Sequence, residues 1–573
     1  MFERFGSPCV IAAASAIVLA ATPAAAQGTP EATPPAAGGG ASAGGSLSTG
    51  LSLGADATPP AGGPAAPAAE PAKADDKWEA PLAGYNGALY IRSKDDVFQT
   101  WFNGRLLLDF VKPFAAGAYP ANQFSGFLVR RMRFENAGCI GDFCYSIQPE
   151  YGPTSVGNTV VGKNDGTVFS QPNQAPAART STQIASAFIN YKIMPEVQVM
   201  AGIVQPPFGM EARQTTKYKD FLEDGVSTKF ATPNGTEQGL TVWGATDKNM
   251  INYEVGVFSG DGAQRPNSDN RFDFMGRVFV RPLAQSKGSL SALQIGVSGK
   301  YGERDAKKVN YDVSPITTAN GYALWGGTYT GAAPGGAVGG LTHIIPSGAQ
   351  SGFAAELRVP VENFDLTGEF YYISQKTREQ YDALLGSANT ERFGELSGIS
   401  YYAQASYWFG KRDITGEPGF FRIAKMKWKK PEAAKPGDKP KGPDTAFRVR
   451  VRYDNVSAKY EGAKDSGSVA QRNVAGNPAS PIPFYDGDIK IHALQAGLDY
   501  FYTKSFGFRL NYGLYYTPDS APATPEPGSS APVATSANRA AAPANRIAAG
   551  QDDDARRGAH SIHELILRAQ VAF

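Results

Sequence analysis

The stretch from Ile562 to Phe573, IHELILRAQVAF, decides the fold. Successive side chains on an extended strand point to opposite faces. On that reading Leu565, Leu567, Ala569, Val571 and Phe573 share one face, while Glu564, Arg568 and Gln570 share the other. Ile566 breaks the pattern, an apolar residue among the charged ones. A strand oily on one side, charged on the other and aromatic at its end suits a wall between lipid and water. That is the pattern of a transmembrane β-barrel.

The rest of the composition is compatible with a chain built this way. The 573 residues include 26 Tyr, 32 Phe and 65 Gly, types that favour strands and turns. After residue 30 no apolar run approaches the ~18 residues a membrane helix needs. A formal net charge of +2 is too small to argue for nucleic acid as a partner. Composition alone leaves a soluble multidomain protein open.

From Phe98 onward the sequence predicts an all-β chain of sixteen antiparallel strands. They are 98–110, 126–138, 143–152, 181–193, 196–205, 238–247, 251–260 and 271–283, then 290–303, 349–362, 364–378, 398–410, 445–458, 489–503, 506–518 and 562–573. Short connections (139–143, 194–195, 248–250, 504–505) alternate with long ones (153–180, 206–237, 304–348, 459–488, 519–561). Segment 411–444 departs, being long where the alternation calls for short. Short turns at one end and long loops at the other are what an outer-membrane barrel shows. A soluble sandwich or propeller requires no such alternation.

The pleat assigns each residue a face. Phe447, Val449, Val451 and Tyr453 fall outward, with Arg448, Arg450, Arg452 and Asp454 inward. Phe272, Phe274, Val278 and Val280 fall outward against Arg271, Asp273, Arg277 and Arg281. Arg105 and Asp109 point in, as do Arg509 and Asn511. In GFLVRRMRFEN, Leu128, Met132 and Phe134 fall out and Arg131, Arg133 and Glu135 in. Arg130 also lands on the outward set, so it is expected at a rim, at a subunit contact, or on a bulge that turns it inward.

Guanidinium groups stay charged and present a planar fork matched to phosphate or carboxylate oxygens. Arginines lining a watery lumen would therefore favour anions. Acids (Asp109, Glu135, Glu254, Asp273, Glu369, Asp499) line it as well, and about half the inward arginines are expected in cross-strand wall pairs. The run Arg448, Arg450, Arg452 is expected to be hardest to neutralise locally.

Residues 1–26 read as a signal peptide: Arg4, an apolar core from Cys9 to Ala21, and Ala24-Ala25-Ala26 before Gln27. Residues 27–76, almost only Ala, Gly, Pro, Ser and Thr, bury too little to order and read as a disordered periplasmic linker. The barrel domain is then 77–573. Cys139 and Cys144 read as a disulfide pinning a hairpin turn, given an exported chain; a redox or metal pair is the alternative.

Several motifs together resemble the phosphate-selective porins O and P of Gram-negative outer membranes, over about Phe98 to Phe573. They are FNGRLLLDF, LVRRMRF, VQVMAGIVQPPFGME, YEVGVFSGDG, SYYAQASYWF followed by TGEP, and the terminal LRAQVAF. The resemblance implies a sixteen-stranded trimeric barrel whose third loop folds inward to a constriction that passes phosphate or other anions. It also implies a long periplasmic connection at 411–444. It places the family's arginine pair on Arg130 and Arg131, its constriction lysine on Lys217 and a neighbouring carboxylate on Glu150. Ile203 and Glu223-Asp224 depart from the pattern, which would remove polar or basic groups near the constriction.

No other chemistry stands out. The four histidines (His343, His492, His560, His563) have no completing ligand cluster, so neither metal nor cofactor is expected. No nucleophile–base–acid arrangement points to an enzyme. The basic segment 425–444 reads as a solvated loop rather than a polyanion patch. The expected function is passive diffusion of small anions, phosphate or related oxyanions, through a pore lined by Arg105, Arg130, Arg131, Arg133, Lys217, Arg277, Arg281, Arg448, Arg450, Arg452 and Arg509. The partners expected are those anions, membrane lipid and two further copies of the chain. Two other readings stay open: a general diffusion porin, and a plugged structural barrel tethered to the cell wall.

Overall fold

The computed structural model describes residues 81–115, 125–153, 180–330, 341–381, 392–410, 423, 425–428, 445–462, 486–517 and 561–572, apart from the isolated positions 217, 218, 233, 234, 247, 248, 264, 306, 307, 310, 322 and 504. The expected leader (1–26) and linker (27–76) lie outside the described residues.

The wall begins with β1 Phe98–Ala115, β2 Gly126–Ile140, β3 Phe143–Pro153, β4 Thr180–Met194 and β5 Val197–Val204. It continues through β6 Glu237–Ala245, β7 Ile251–Phe258, β8 Asp273–Val280, β9 Gln294–Arg304 and β10 Leu341–Val361. It ends with β11 Phe364–Tyr381, β12 Arg392–Gly410, β13 Ala446–Glu461, β14 Asp486–Thr503, β15 Phe506–Tyr516 and β16 Ser561–Ala572. Each strand pairs antiparallel with the next, and β16 closes the cylinder on β1 through pairs such as Arg568 with Asp109 and Leu567 with Phe110. The sixteen expected strands form in the expected order. The largest shift is at β10, which starts at Leu341 rather than 349. Its added residues pair with 328–330 and with the end of β11, across an irregularity between Pro346 and Gln350 where a proline is tolerated.

Closure leaves an oily outside. Phe447, Val449, Val451 and Tyr453 are exposed while Arg448, Arg450, Arg452 and Asp454 are buried within. Two face assignments change. The β1–β2 ladder slips between Leu107 and Leu108, so that Leu107 faces Arg131 while Leu108 faces Val129. This bulge reverses the phase below it: Phe127 and Val129 point out, Arg130 turns in, and Leu128 packs against the interior cluster of Val111, Leu222, Ala319 and Ile566. Arg271 precedes β8 and is exposed, paired with Glu303.

A short hairpin, Ala83–Tyr85 with Leu89–Arg92, precedes the barrel. Its second arm pairs with Gln99–Phe102 of β1, below the point where β16 ends at Arg105. The otherwise open edge of β1 is thereby covered.

Candidate functional site

The segment after β5, 205–236, folds into the barrel, and its entry is built residue by residue. Gly209 adopts φ +75°, and a Cβ there would sit 2.9 Å from the Tyr371 hydroxyl. That turn aims two backbone N–H groups at one carboxylate on β11: Met210 donates to Glu369 Oε1 at 2.5 Å and Glu211 to Oε2 at 2.7 Å. The Tyr402 hydroxyl donates to the same Oε2 at 2.6 Å.

From there the loop crosses the lumen and meets the wall arginines. Glu211 pairs with Arg452 on β13, and Asp220 pairs with Arg448 and accepts from Gln404 at 2.8 Å. Arg509 donates to the Lys219 carbonyl at 2.9 Å. Arg568 donates to the Leu222 carbonyl at 2.8 Å and to Glu223 at 2.7 Å, while its Nε holds Asp109 at 2.7 Å. Arg213 reaches Glu254 on β7 at 2.5 Å. The loop ends in a short helix, α1, Val226–Ala231. Its Ser227 hydroxyl donates to Asp454 at 2.6 Å.

The segment after β9 also enters the lumen. Lys229 of α1 donates to the carbonyls of Thr317 at 3.0 Å and Thr318 at 2.7 Å. Burial pushes the Lys229 ammonium below its ordinary pKa, with Glu223, Asp224 and Glu564 offsetting part of the shift. Ala319 N–H donates to the Tyr515 hydroxyl at 3.1 Å, and Asn320 N–H to Glu564 at 3.1 Å. Ile566, the break in the terminal strand's pattern, is the buried apolar seat under Leu222 and Ala319.

The candidate residues therefore divide. Arg448, Arg450 and Arg509 converge on the single carboxylate of Asp499, at 2.6, 2.8 and 3.1 Å. Arg452 is shared by Glu211 and Asp454. The run expected to be hardest to neutralise is instead the most completely paired, because Asp454 lies on its own strand, Asp499 on the next, and the loop brings two more acids. Arg277 pairs with Glu356 at 2.6 Å and Arg281 bonds Gln294 at 3.1 Å. These are anchors in the wall.

A second group lines the arc β1–β3. Arg130 bonds Asp109 at 2.9 Å, and Arg131 and Arg133 share Glu150. The side chains of Arg130, Arg131 and Arg133 are 14%, 19% and 16% exposed, whereas those of Arg448, Arg450 and Arg452 are 0%. Arg105 donates to the hydroxyls of Thr215 and Thr216 at 2.8 and 2.6 Å. Among the described residues, Arg130 Nη2 finds no hydrogen-bond acceptor, and Arg131 Nε meets Glu150 Oε1 at 3.3 Å as an ion pair without hydrogen-bond geometry. Counting Arg568, five guanidinium groups here face the four carboxylates Asp109, Glu135, Glu150 and Glu223. Lys217 lies outside the described residues.

Ile203 sits on the outward phase of β5, so it removes nothing from the lumen. Glu223 bonds Arg568 and approaches Arg131. Cys139 and Cys144 are joined, 2.11 Å between sulfurs, across the tight β2–β3 turn. Sequence reasoning missed Glu211, Asp220 and Glu223 as partners; their acidity within the loop after PPFG was the available signal.

A closed barrel, oily outside and charged inside, with a loop bolted across its lumen, defines an outer-membrane porin. The model of the family described as phosphate-selective porin O and P matches residues 103–526, and the chain belongs to that family. Its place is the bacterial outer membrane. Among solved structures it is similar to OmpT (in-vitro folded), an outer membrane protein of Vibrio cholerae, at 9% identity and TM-score 0.40, over 83% of this chain and 98% of that one. It is similar to the outer membrane channel DcaP of Acinetobacter baumannii at 10% identity and TM-score 0.39, over 86% and 100%. It is also similar to an anion-selective porin from Comamonas acidovorans, at 10% identity and TM-score 0.36, over 83% and 100%. No curated protein sequence matches the chain.

Proposed function

We propose that this porin passes small anions in preference to cations, with phosphate-like oxyanions favoured, along the arc of Arg105, Arg130, Arg131 and Arg133. The observation that carries this reading is the exposure that the side chains of Arg130, Arg131 and Arg133 keep toward the lumen, where those of Arg448, Arg450 and Arg452 have none. An oxyanion there would exchange part of its hydration for charge-assisted hydrogen bonds and stay loose enough to leave. Glu150 and Glu223 keep the surplus of positive charge small, which suits transit rather than capture. Lys217, between Thr216 and the anchored Lys219, would add a further cation. Residues 1–26 would direct export, 27–76 would form a periplasmic linker, and the barrel would assemble as a trimer.

The paired state of Arg277, Arg448, Arg450, Arg452, Arg509 and Arg568 favours a second reading, a general diffusion porin whose inner charges are structural. A planar-bilayer reversal potential under a KCl gradient separates the two. The anion reading expects a clear shift toward the chloride potential, reduced by Arg130→Ala with Arg131→Ala, and chloride current inhibited by added phosphate. A reversal potential near zero in the wild type would leave the general porin.

A further inference from the structure

On the lipid-facing side of the wall, Lys112 is a cation without an ion-pair or hydrogen-bond partner among the described residues. It is exposed, as is Phe114 beside it, while the intervening phase turns Val111 into the interior cluster. Across the closure of the barrel Lys112 lies opposite Leu565, and Phe114 opposite His563. The carboxylates of the surrounding strands cannot serve it. Asp109 of β1, Glu135 of β2 and Glu564 of β16 all face the lumen, and β15 carries none. Other lysines on the outer face are neutralised from their own strand: Lys490 pairs with Asp488 at 3.3 Å and Lys459 with Glu461 at 2.9 Å.

Lys112 stands close to the Ala115 end of β1, about 10 Å along the strand from it. A lysine turned to lipid is costly at the bilayer centre and tolerated only near the headgroups. The neighbouring strands mark that depth with exposed Tyr401, Tyr453, Tyr512 and Tyr516, an aromatic girdle. Two histidines sit among them. The Nδ1 of His563 meets the Tyr512 hydroxyl, and that of His492 meets the Tyr453 hydroxyl at 2.8 Å. Neither Nε2 has a partner among the described residues. With the Tyr512 hydroxyl donating to Nδ1, His563 carries its proton on Nε2 and has a donor to offer. Lys112 and His563 are diagonal neighbours on paired strands, their Cβ atoms ~7–8 Å apart, a gap that one tetrahedral anion can bridge.

We propose that Lys112 and His563, flanked by Tyr512 and Phe114, bind the phosphate of a lipid headgroup against the outside of the barrel, at the end that carries the long connections. A phosphate meets an ammonium and an imidazole N–H with separate oxygens and supplies the charge that no described carboxylate supplies to Lys112. Basic side chains at headgroup level recognise lipids in this way. The site lies outside the lumen, so it stands apart from the anion preference of the pore.

The test is native mass spectrometry of the full chain in detergent, mixed with diphosphoryl lipid A and, for comparison, with phosphatidylcholine. Lipid A should be retained in preference, and Lys112→Ser and His563→Leu should each weaken its retention by about tenfold, as the loss of one charge-assisted hydrogen bond implies. Lys490→Ser, on the same face but paired within its strand, should change retention by less than about twofold. The reversal potential of Lys112→Ser under a KCl gradient should equal that of the wild type. Equal retention in the wild type and both site variants, with the barrel folded by its heat-modifiable gel mobility, would overturn the site. An equal loss in Lys490→Ser would overturn it too, leaving only diffuse surface charge, and a shifted reversal potential would place Lys112 on the ion path instead. If Lys112→Ser dissociates an oligomer while lipid retention holds, the patch is a contact between copies of this chain and not a lipid site.

Discussion

Arg452 Nη2 lies 2.9 Å from Glu211 Oε2, although 241 positions separate the two residues in the chain. The same guanidinium holds Asp454, and all three side chains are buried. One cation thus binds a loop acid and a wall acid together. Arg452→Met would leave two carboxylates facing each other out of water, a loss of about 3–5 kcal/mol. Arg452→Lys should recover only part of this, because a point charge cannot fork two acceptors. Thermal unfolding in detergent measures the loss, and noisy, enlarged channels should accompany it as the loop comes free. A variant as stable and as quiet as the wild type would show that the pair does not hold the loop.

Glu150 offers a test of opposite sign on permeation. Its carboxylate is shared by Arg131 and Arg133, so Glu150→Gln unmasks charge rather than removing it. A unit charge ~8 Å from an ion in water is worth about 0.5 kcal/mol, roughly twofold in a permeability ratio. Glu150→Gln should therefore raise anion-over-cation permeability by about that factor, read from the reversal potential. A fall, or no change, would mean that ions do not pass the β1–β3 arc.

Strand number and phase are legible in the sequence because lipid enforces alternation: an outward charge is costly at every position of Phe447–Tyr453 or Phe508–Leu514. Legibility fails where the backbone leaves the pleat. Adjacent Arg130 and Arg131 cannot both face inward on a regular strand, and only the slip between Leu107 and Leu108 resolves it. That slip has no composition of its own, so Leu128 is misplaced with it. The partners of the arginines are hidden for a different reason. Asp220 meets Arg448 and Glu223 meets Arg568 across 228 and 345 positions, distances at which no periodicity operates. Without those partners the arginine run Arg448–Arg452 reads as surplus charge, when it is the loop's anchorage. The expectation of a solvated loop at 425–444 fails over 425–428, where the Met426 backbone bonds Gln99 and the Trp428 indole bonds Asp96; KMKW looks like any basic turn until those partners lie beside it.

Acid should reach the loop anchorage late. Burial alone would raise the Glu223 pKa, but Arg568, Arg131 and Arg130 hold it well below the usual carboxylate range. A folded value lowered in this way adds stability that is fully present above the unfolded glutamate value of about 4.3 and fades as pH falls through the folded value. The stability gap between wild type and Glu223→Gln should thus be constant from neutral pH down to about 5 and close only in stronger acid. Melting curves at stepped pH check this. A gap that has already closed at about pH 5 would place Glu223 outside the field of those arginines.

Ile566 and Leu567 are adjacent, similar in size and opposite in surroundings. Ile566 is fully buried against Val111, Leu222 and Ala319, while Leu567 is 44% exposed on the lipid side. Ile566→Ala should open a cavity between wall and loops and cost about 2–4 kcal/mol. Leu567→Ala opens none, because lipid tails move into the space, so its cost should be clearly smaller. Denaturant unfolding from liposomes gives both values, and single-channel records should show added flicker only for Ile566→Ala, since Leu222 and Ala319 belong to the two loops in the lumen. If the two substitutions cost the same and neither adds noise, the interior of this barrel is not packed at that seat, and the loops are held by their charges alone.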